Sequence, residues 1–182
     1  MKKLIVYIAS SLDGFIAAPN DDLSFLNLVE KSGEDYGYNE FINSIDTIVL
    51  GKRTYDWVKS QVGTEHYDKS DKDIYVITHS NLTKSCKTTF YNKDLKELIQ
   101  NLKSAEGKNI FCDGGAELVN QLIRYDLVDE YIISVIPVLL GDGIKLFKDM
   151  RPKQNLKLIK SKSYDSGLVQ LHYKRVFNEI QH

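Results

Sequence analysis

Apolar residues fall into short runs separated by polar turns, and the runs obey two periods. Residues 4–9 (Leu-Ile-Val-Tyr-Ile-Ala) are almost wholly apolar, the pattern of a strand covered on both faces. Residues 47–50, 74–78 and 109–112 repeat that character. Between them, Leu95, Leu98, Ile99 and Leu102 stand at i, i+3, i+4 and i+7, the stripe of an amphipathic helix. Leu118, Val119, Leu122 and Ile123 form the next such stripe. The final third changes style. Residues 131–140 read as one long strand, with Pro137 marking a bulge or an edge position. Residues 156–164 and 168–176 read as an antiparallel hairpin around Asp165-Ser166-Gly167. Strands alternating with helices predict one α/β domain over residues 1–182, with a mostly parallel sheet and antiparallel strands added at the C-terminus.

Composition narrows the function classes. The chain has 182 residues, 42% hydrophobic and 27% charged, with a formal net charge of −1, so it can build a substantial core. Lys and Arg are scattered rather than gathered into a stripe, which argues against nucleic acid as a partner. No apolar run approaches the roughly 20 residues that a bilayer span requires. The N-terminus starts like a signal peptide but soon meets Ser10, Ser11 and Asp13 without a cleavage pattern. Cys86 and Cys112 lack paired or metal-type spacing and suit buried thiols in a reducing compartment. The expectation is a cytoplasmic protein without a metal site.

Three strand ends carry candidate chemistry. The segment Asp113-Gly114-Gly115-Ala116-Glu117-Leu118 places a double glycine between a strand and a helix. Glycines let a ligand approach the backbone, and a helix start offers unpaired N–H groups to a phosphate; a plain tight turn is the alternative. Gly51-Lys52-Arg53-Thr54-Tyr55 follows the strand at 47–50 and opens a helical segment containing Trp57. Arg53 offers a planar donor fork and Lys52 a mobile charge, suited to a phosphate monoester, whereas the plainer reading is a solvated turn capping a helix. Thr78-His79-Ser80-Asn81 is a polar strand end able to hold a sugar or an adenine edge, with His79 reading as a loop histidine rather than a catalyst. Open α/β sheets bind ligands at such carboxyl ends, so an elongated phosphate-bearing ligand is expected across them. Asp13, Asp21 and Asp22 follow the first strand. Each suits a turn or a helix cap, or else a carboxylate that holds substrate or supplies a proton.

Taken in order, Ser11-Leu12-Asp13-Gly14-Phe15-Ile16-Ala17, Gly51-Lys52-Arg53-Thr54-Tyr55, Asp113-Gly114-Gly115-Ala116-Glu117-Leu118 and Pro137-Val138-Leu139-Leu140-Gly141-Asp142-Gly143 resemble the dihydrofolate-reductase-like superfamily. The chain is most similar there to stand-alone proteins like the C-terminal reductase domain of bacterial riboflavin biosynthesis. The resemblance implies a three-layer fold with helices on both faces of the sheet, and NADPH as hydride donor. It implies that Ala9 and Ile16 give backbone contacts to the nicotinamide carboxamide. Gly51, Lys52, Arg53 and Thr54 would receive the 2′-phosphate and pyrophosphate, and Thr78, His79 and Ser80 the adenosine. Gly114, Gly115, Ala116, Glu117 and Leu118 would form the glycine turn against the pyrophosphate. Asp13 would contact substrate, and Asp22 would assist protonation. The activity implied is hydride transfer to a small heterocycle, of the 5-amino-6-(5-phosphoribosylamino)uracil reductase or dihydrofolate reductase type, in a homodimer. The alternative is a non-catalytic NADPH-binding or redox-sensing homodimer. One departure stands out: residues 32–46 contain none of the arginines that hold a ribose phosphate in riboflavin-pathway reductases. The segment is acidic and aromatic instead, and Tyr36, Tyr38 and Phe41 would suit a neutral or cationic flat ring, or else pack as a lid.

Overall fold

The computed structural model describes residues 1–63, 65–81 and 87–176. In chain order the elements begin with β1 (Leu4–Ser11), β2 (Phe15–Ala17), α1 (Tyr38–Asn43), β3 (Ile45–Gly51), α2 (Lys52–Val62), α3 (Glu65–Asp68), β4 (Asp73–Ile77) and β5 (Thr88–Tyr91). They continue with α4 (Leu95–Ser104), β6 (Asn109–Gly114), α5 (Ala116–Arg124), β7 (Glu130–Ile136), β8 (Ile144–Lys145), β9 (Asn155–Ser163) and β10 (Val169–Val176). An eight-stranded sheet has the order β5-β4-β3-β6-β1-β7-β10-β9, and β2 pairs with β8 separately. From β5 to β7 every neighbouring pair is parallel, whereas β10 and β9 are antiparallel.

The apolar runs form strands because alternate residues feed two cores. Leu4, Val6, Val49, Ile110 and Cys112 pack with Leu95 and Ile99 of α4 and with Leu118, Val119, Leu122 and Ile123 of α5. Their neighbours Ile5, Ile48, Leu50 and Phe111 face the other way, onto Phe41 of α1, Tyr55 of α2 and Tyr67 of α3. Helices therefore cover both faces, and the central strands need apolar residues at every position. Cys112 is buried, and desolvation pushes its thiol up to about 12, so it packs as a small apolar group. Cys86 and His182 lie outside the described residues.

One expectation changes. The strand expected over residues 131–140 ends at Ile136. Pro137 has no N–H to continue the ladder, and the chain turns: Val138 N bonds the Ile136 carbonyl at 2.8 Å, and Leu12 N bonds the Val138 carbonyl at 2.9 Å. The short strands β2, β5 and β8 carry little pattern of their own and form where neighbours supply partners. The C-terminal hairpin forms as expected, with Tyr164 N on the Leu168 carbonyl and a bulge between His172 and Tyr173. No helix among the described residues is long and apolar enough to cross a membrane.

Candidate functional site

Two helices begin side by side at the carboxyl ends of the central strands. Gly51 closes β3 and stands before α2, and Gly115 follows β6 and stands before α5. A Cβ on Gly51 would lie 3.8 Å from both the Gly114 carbonyl oxygen and the Gly115 nitrogen, so the two turns touch. Neither helix receives a side-chain cap. The contrast is α4, where Asp94 accepts from Glu97 N at 2.9 Å. The amides that open α2 and α5 are thus left for another acceptor, at the positive ends of two helix dipoles. Space is tight around both residues of the double glycine. A Cβ on Gly115 would meet Thr54 Oγ1 at 3.1 Å, and Gly114 has φ of +97° with Ile8 Cδ1 3.3 Å from where its Cβ would stand.

These turns form one wall of a cleft of about 730 Å³. Ala9 of β1 and Ile16 of β2 line it, as do Gly51, Lys52, Arg53 and Thr54 at the start of α2. Thr78, His79 and Ser80 close it beyond β4, and Gly115, Ala116, Glu117 and Leu118 lie along the start of α5. Every residue expected to bind cofactor therefore faces one space, except Gly114, which is buried behind the surface. The uncapped amides and the glycine cradle fit the pyrophosphate of a dinucleotide.

Charge in the cleft is balanced. Lys52 Nζ lies 2.5 Å from Asp56, and Lys148 Nζ lies 3.6 Å from Glu117. Arg53 Nη2 donates to both carboxylate oxygens of Asp21, at 2.5 and 2.6 Å. Of the three aspartates that follow the first strand, Asp21 is the one that lines the cleft.

Tyr7, Tyr38, Phe111 and Asp113 add an aromatic wall with one carboxylate. Tyr7 stacks on Phe41 at 4.6 Å, and Tyr38 meets Tyr7 edge-on at 5.9 Å. Desolvation raises the Asp113 carboxyl to about 7, so it exchanges a proton near neutral pH. Burial, reinforced by the Asp113 charge, raises Tyr38 to about 12 and keeps it a neutral donor. In the sequence Asp113 stands only as the head of the glycine turn. The signal was its place at the end of an apolar strand, where a side chain must face either the core or the ligand.

The two aspartates expected at the chemistry stand elsewhere. Asp13 is exposed and outside the cleft lining; it accepts from Ser11 Oγ at 2.5 Å, Gly141 N at 2.7 Å and Leu140 N at 3.1 Å. Those bonds, the Ser11 hydroxyl first, hold it below its ordinary range. Asp22 is likewise exposed and accepts from Ser24 N at 2.8 Å and Ser24 Oγ at 2.9 Å, which lowers it too. Both carboxylates are ionised at neutral pH and organise loops, so neither position offers a proton to a ligand in the cleft. Of the aromatics at 36–41, only Tyr38 faces the cleft. The Tyr36 hydroxyl bonds the Val29 carbonyl and Ser166, and Phe41 is buried.

Comparison with known proteins agrees with this architecture. Residues 2–170 match the RibD C-terminal domain family. The uncharacterized protein YwjB of Bacillus subtilis (strain 168) is 41% identical over 175 residues, covering 96% of this chain and 98% of its own. YyaP of the same organism is 31% identical over 181 residues, covering 94% of each. A crystal structure named for riboflavin biosynthesis, from Shewanella sp. PV-4, superposes with a TM-score of 0.84 at 29% identity, over 96% of this chain and 99% of that one. The diaminohydroxyphosphoribosylaminopyrimidine deaminase/5-amino-6-(5-phosphoribosylamino)uracil reductase of Thermotoga maritima gives 0.73 at 13% identity. That alignment covers 96% of this chain and 57% of the bifunctional one, and it shows the same fold.

Proposed function

We propose that this chain, which belongs to the RibD C-terminal domain family, is an NADPH-dependent reductase that delivers hydride to an unsaturated carbon of a small heterocyclic substrate. The family comprises pyrimidine-reductase-like domains that use NAD(P)H. The observation that carries the reading for this chain is the pair of uncapped helix starts, α2 and α5, opening onto one cleft beside an aromatic wall.

NADPH, when bound, supplies the hydride. The first amides of α2 and α5 would bind its pyrophosphate, Arg53 its 2′-phosphate, and Thr78, His79 and Ser80 its adenosine. Ala9 and Ile16 would hold the carboxamide through their backbones. Tyr7, Tyr38 and Phe111 would hold a flat ring and keep water out. Asp113 would bond that ring and return a proton to it, since burial leaves the carboxyl partly protonated near neutral pH. A flat ring suits this wall better than a ribose phosphate, because Tyr7, Tyr38, Phe111 and Asp113 offer rings and a carboxyl but no cation.

Trp57 is the only tryptophan in the chain and lines the cleft. Titrating NADPH while following its fluorescence should give a saturable change, and a flat response refutes the cofactor assignment. The second reading, a non-catalytic dinucleotide-binding protein, draws support from the commitment of Asp13 and Asp22 to loop hydrogen bonds. Steady NADPH oxidation with a pterin, a pyrimidine or a quinone excludes it. The proposed assembly is a homodimer. All nine residues of β9 are exposed at the sheet edge, with Leu156, Leu158 and Ile159 more than 40% accessible. A light-scattering mass of one chain refutes that assembly.

A further inference from the structure

Asp21 is poised where a ligand anion would go. It rises from the loop after β2, lines the cleft, and places both carboxylate oxygens on one guanidinium nitrogen of Arg53, the second residue of α2. The other two cation pairs of the cleft differ. Lys52 and Asp56 lie one turn apart on the same helix, and Lys148 meets Glu117 only at 3.6 Å. The Asp21 pair is the one that ties the loop to the helix start. The loop turns sharply there, since Asn20 and Asp21 adopt φ of 63° and 59° in succession, the left-handed region that Asn and Asp accept more readily than other side chains. The Arg53 side chain keeps 74% of its accessible surface, so its remaining donors are open to a competitor.

We infer that Asp21 is a specificity-determining counter-ion, which occupies Arg53 until a phosphate monoester displaces it and so sets how strongly the cleft prefers a 2′-phosphorylated dinucleotide. The inference rests on the dinucleotide reading above. A phosphate carries more charge than a carboxylate and more acceptor oxygens, so it wins the guanidinium, but only after the contact with Asp21 is given up. A ligand without that phosphate leaves the pair intact and gains nothing from its removal.

The test uses 2′,5′-ADP and 5′-ADP as probes, with binding followed by calorimetry at low salt. Asp21→Asn keeps the side-chain shape and removes the charge. It should tighten 2′,5′-ADP by about three- to fivefold, the range that an exposed ion pair represents, and leave 5′-ADP within about twofold. In an Arg53→Gln background the same substitution should change neither probe, because the contested group is gone. Equal changes for the two probes, weaker 2′,5′-ADP binding, or a gain that survives in the Arg53→Gln background would each overturn the role of Asp21 while the dinucleotide reading stands. A wild-type chain that binds neither probe nor NADPH overturns both.

Discussion

Replacing Asp113 by Asn keeps the outline of the side chain and removes the carboxyl proton that burial holds inside the cleft. In the unfolded chain this carboxyl titrates at its ordinary value of 3.8, and in the folded chain at about 7. The folded state therefore binds the proton more tightly, and its stability falls as pH rises from about 4 through 7, with the full penalty present above 7. About three pKa units at 1.36 kcal/mol each set a ceiling near 4 kcal/mol. One side of Asp113 opens to the cleft and is solvated there, so about 2 kcal/mol is the expected penalty. For a chain of this size that corresponds to roughly 4–8 °C in melting temperature. Thermal unfolding of wild type and Asp113→Asn at pH 4.5 and pH 8 measures it, because the other carboxylates titrate equally in both proteins and cancel in the difference. The variant should gain on wild type at pH 8 by several degrees more than at pH 4.5. An equal difference at the two pH values would refute a buried, proton-holding Asp113 and with it the proposed source of the substrate proton.

Three further substitutions probe the cleft. Arg53→Gln should weaken NADPH at least tenfold more than NADH in a fluorescence titration, as loss of a charge-assisted phosphate contact would; equal losses would remove Arg53 from the 2′-phosphate. Gly115→Ala sets a methyl 3.1 Å from Thr54 Oγ1, at the uncapped start of α5, and should weaken NADPH by roughly tenfold in the same titration; wild-type affinity would show that the close approach at Gly115 is not needed. Asp22→Asn should leave steady-state turnover within about twofold, since Asp22 serves Ser24 rather than the cleft. A loss of about 100-fold or more, typical of a missing proton donor, would return it to the chemistry.

Much of this architecture can be read from local pattern. A parallel strand buried on both faces must be apolar throughout, so β1, β3, β4 and β6 announce themselves, and the stripes of α4 and α5 do so for the same reason. The double glycine is equally visible, because Gly114 adopts φ of +97°, which side chains rarely take, and Gly115 approaches Thr54 closely. Elements without a pattern of their own, β2, β5 and β8, became strands only because partners lay alongside them.

Carboxylates escaped the sequence for a related reason. Asp13, Asp21, Asp22 and Asp113 are the same side chain in four settings, and only Asp22 draws its donors wholly from two residues away, at Ser24. Folding brings the amides of Leu140 and Gly141 to Asp13, the amide of Ser24 to Asp22, the guanidinium of Arg53 to Asp21, and only burial to Asp113. Strand and helix follow from periods of a few residues, and the chain writes those directly. What a carboxylate does depends on which donors the fold brings to it, in Asp13's case from more than 100 residues away, and on how much water reaches it, and both are settled only when the sheet has closed its layers.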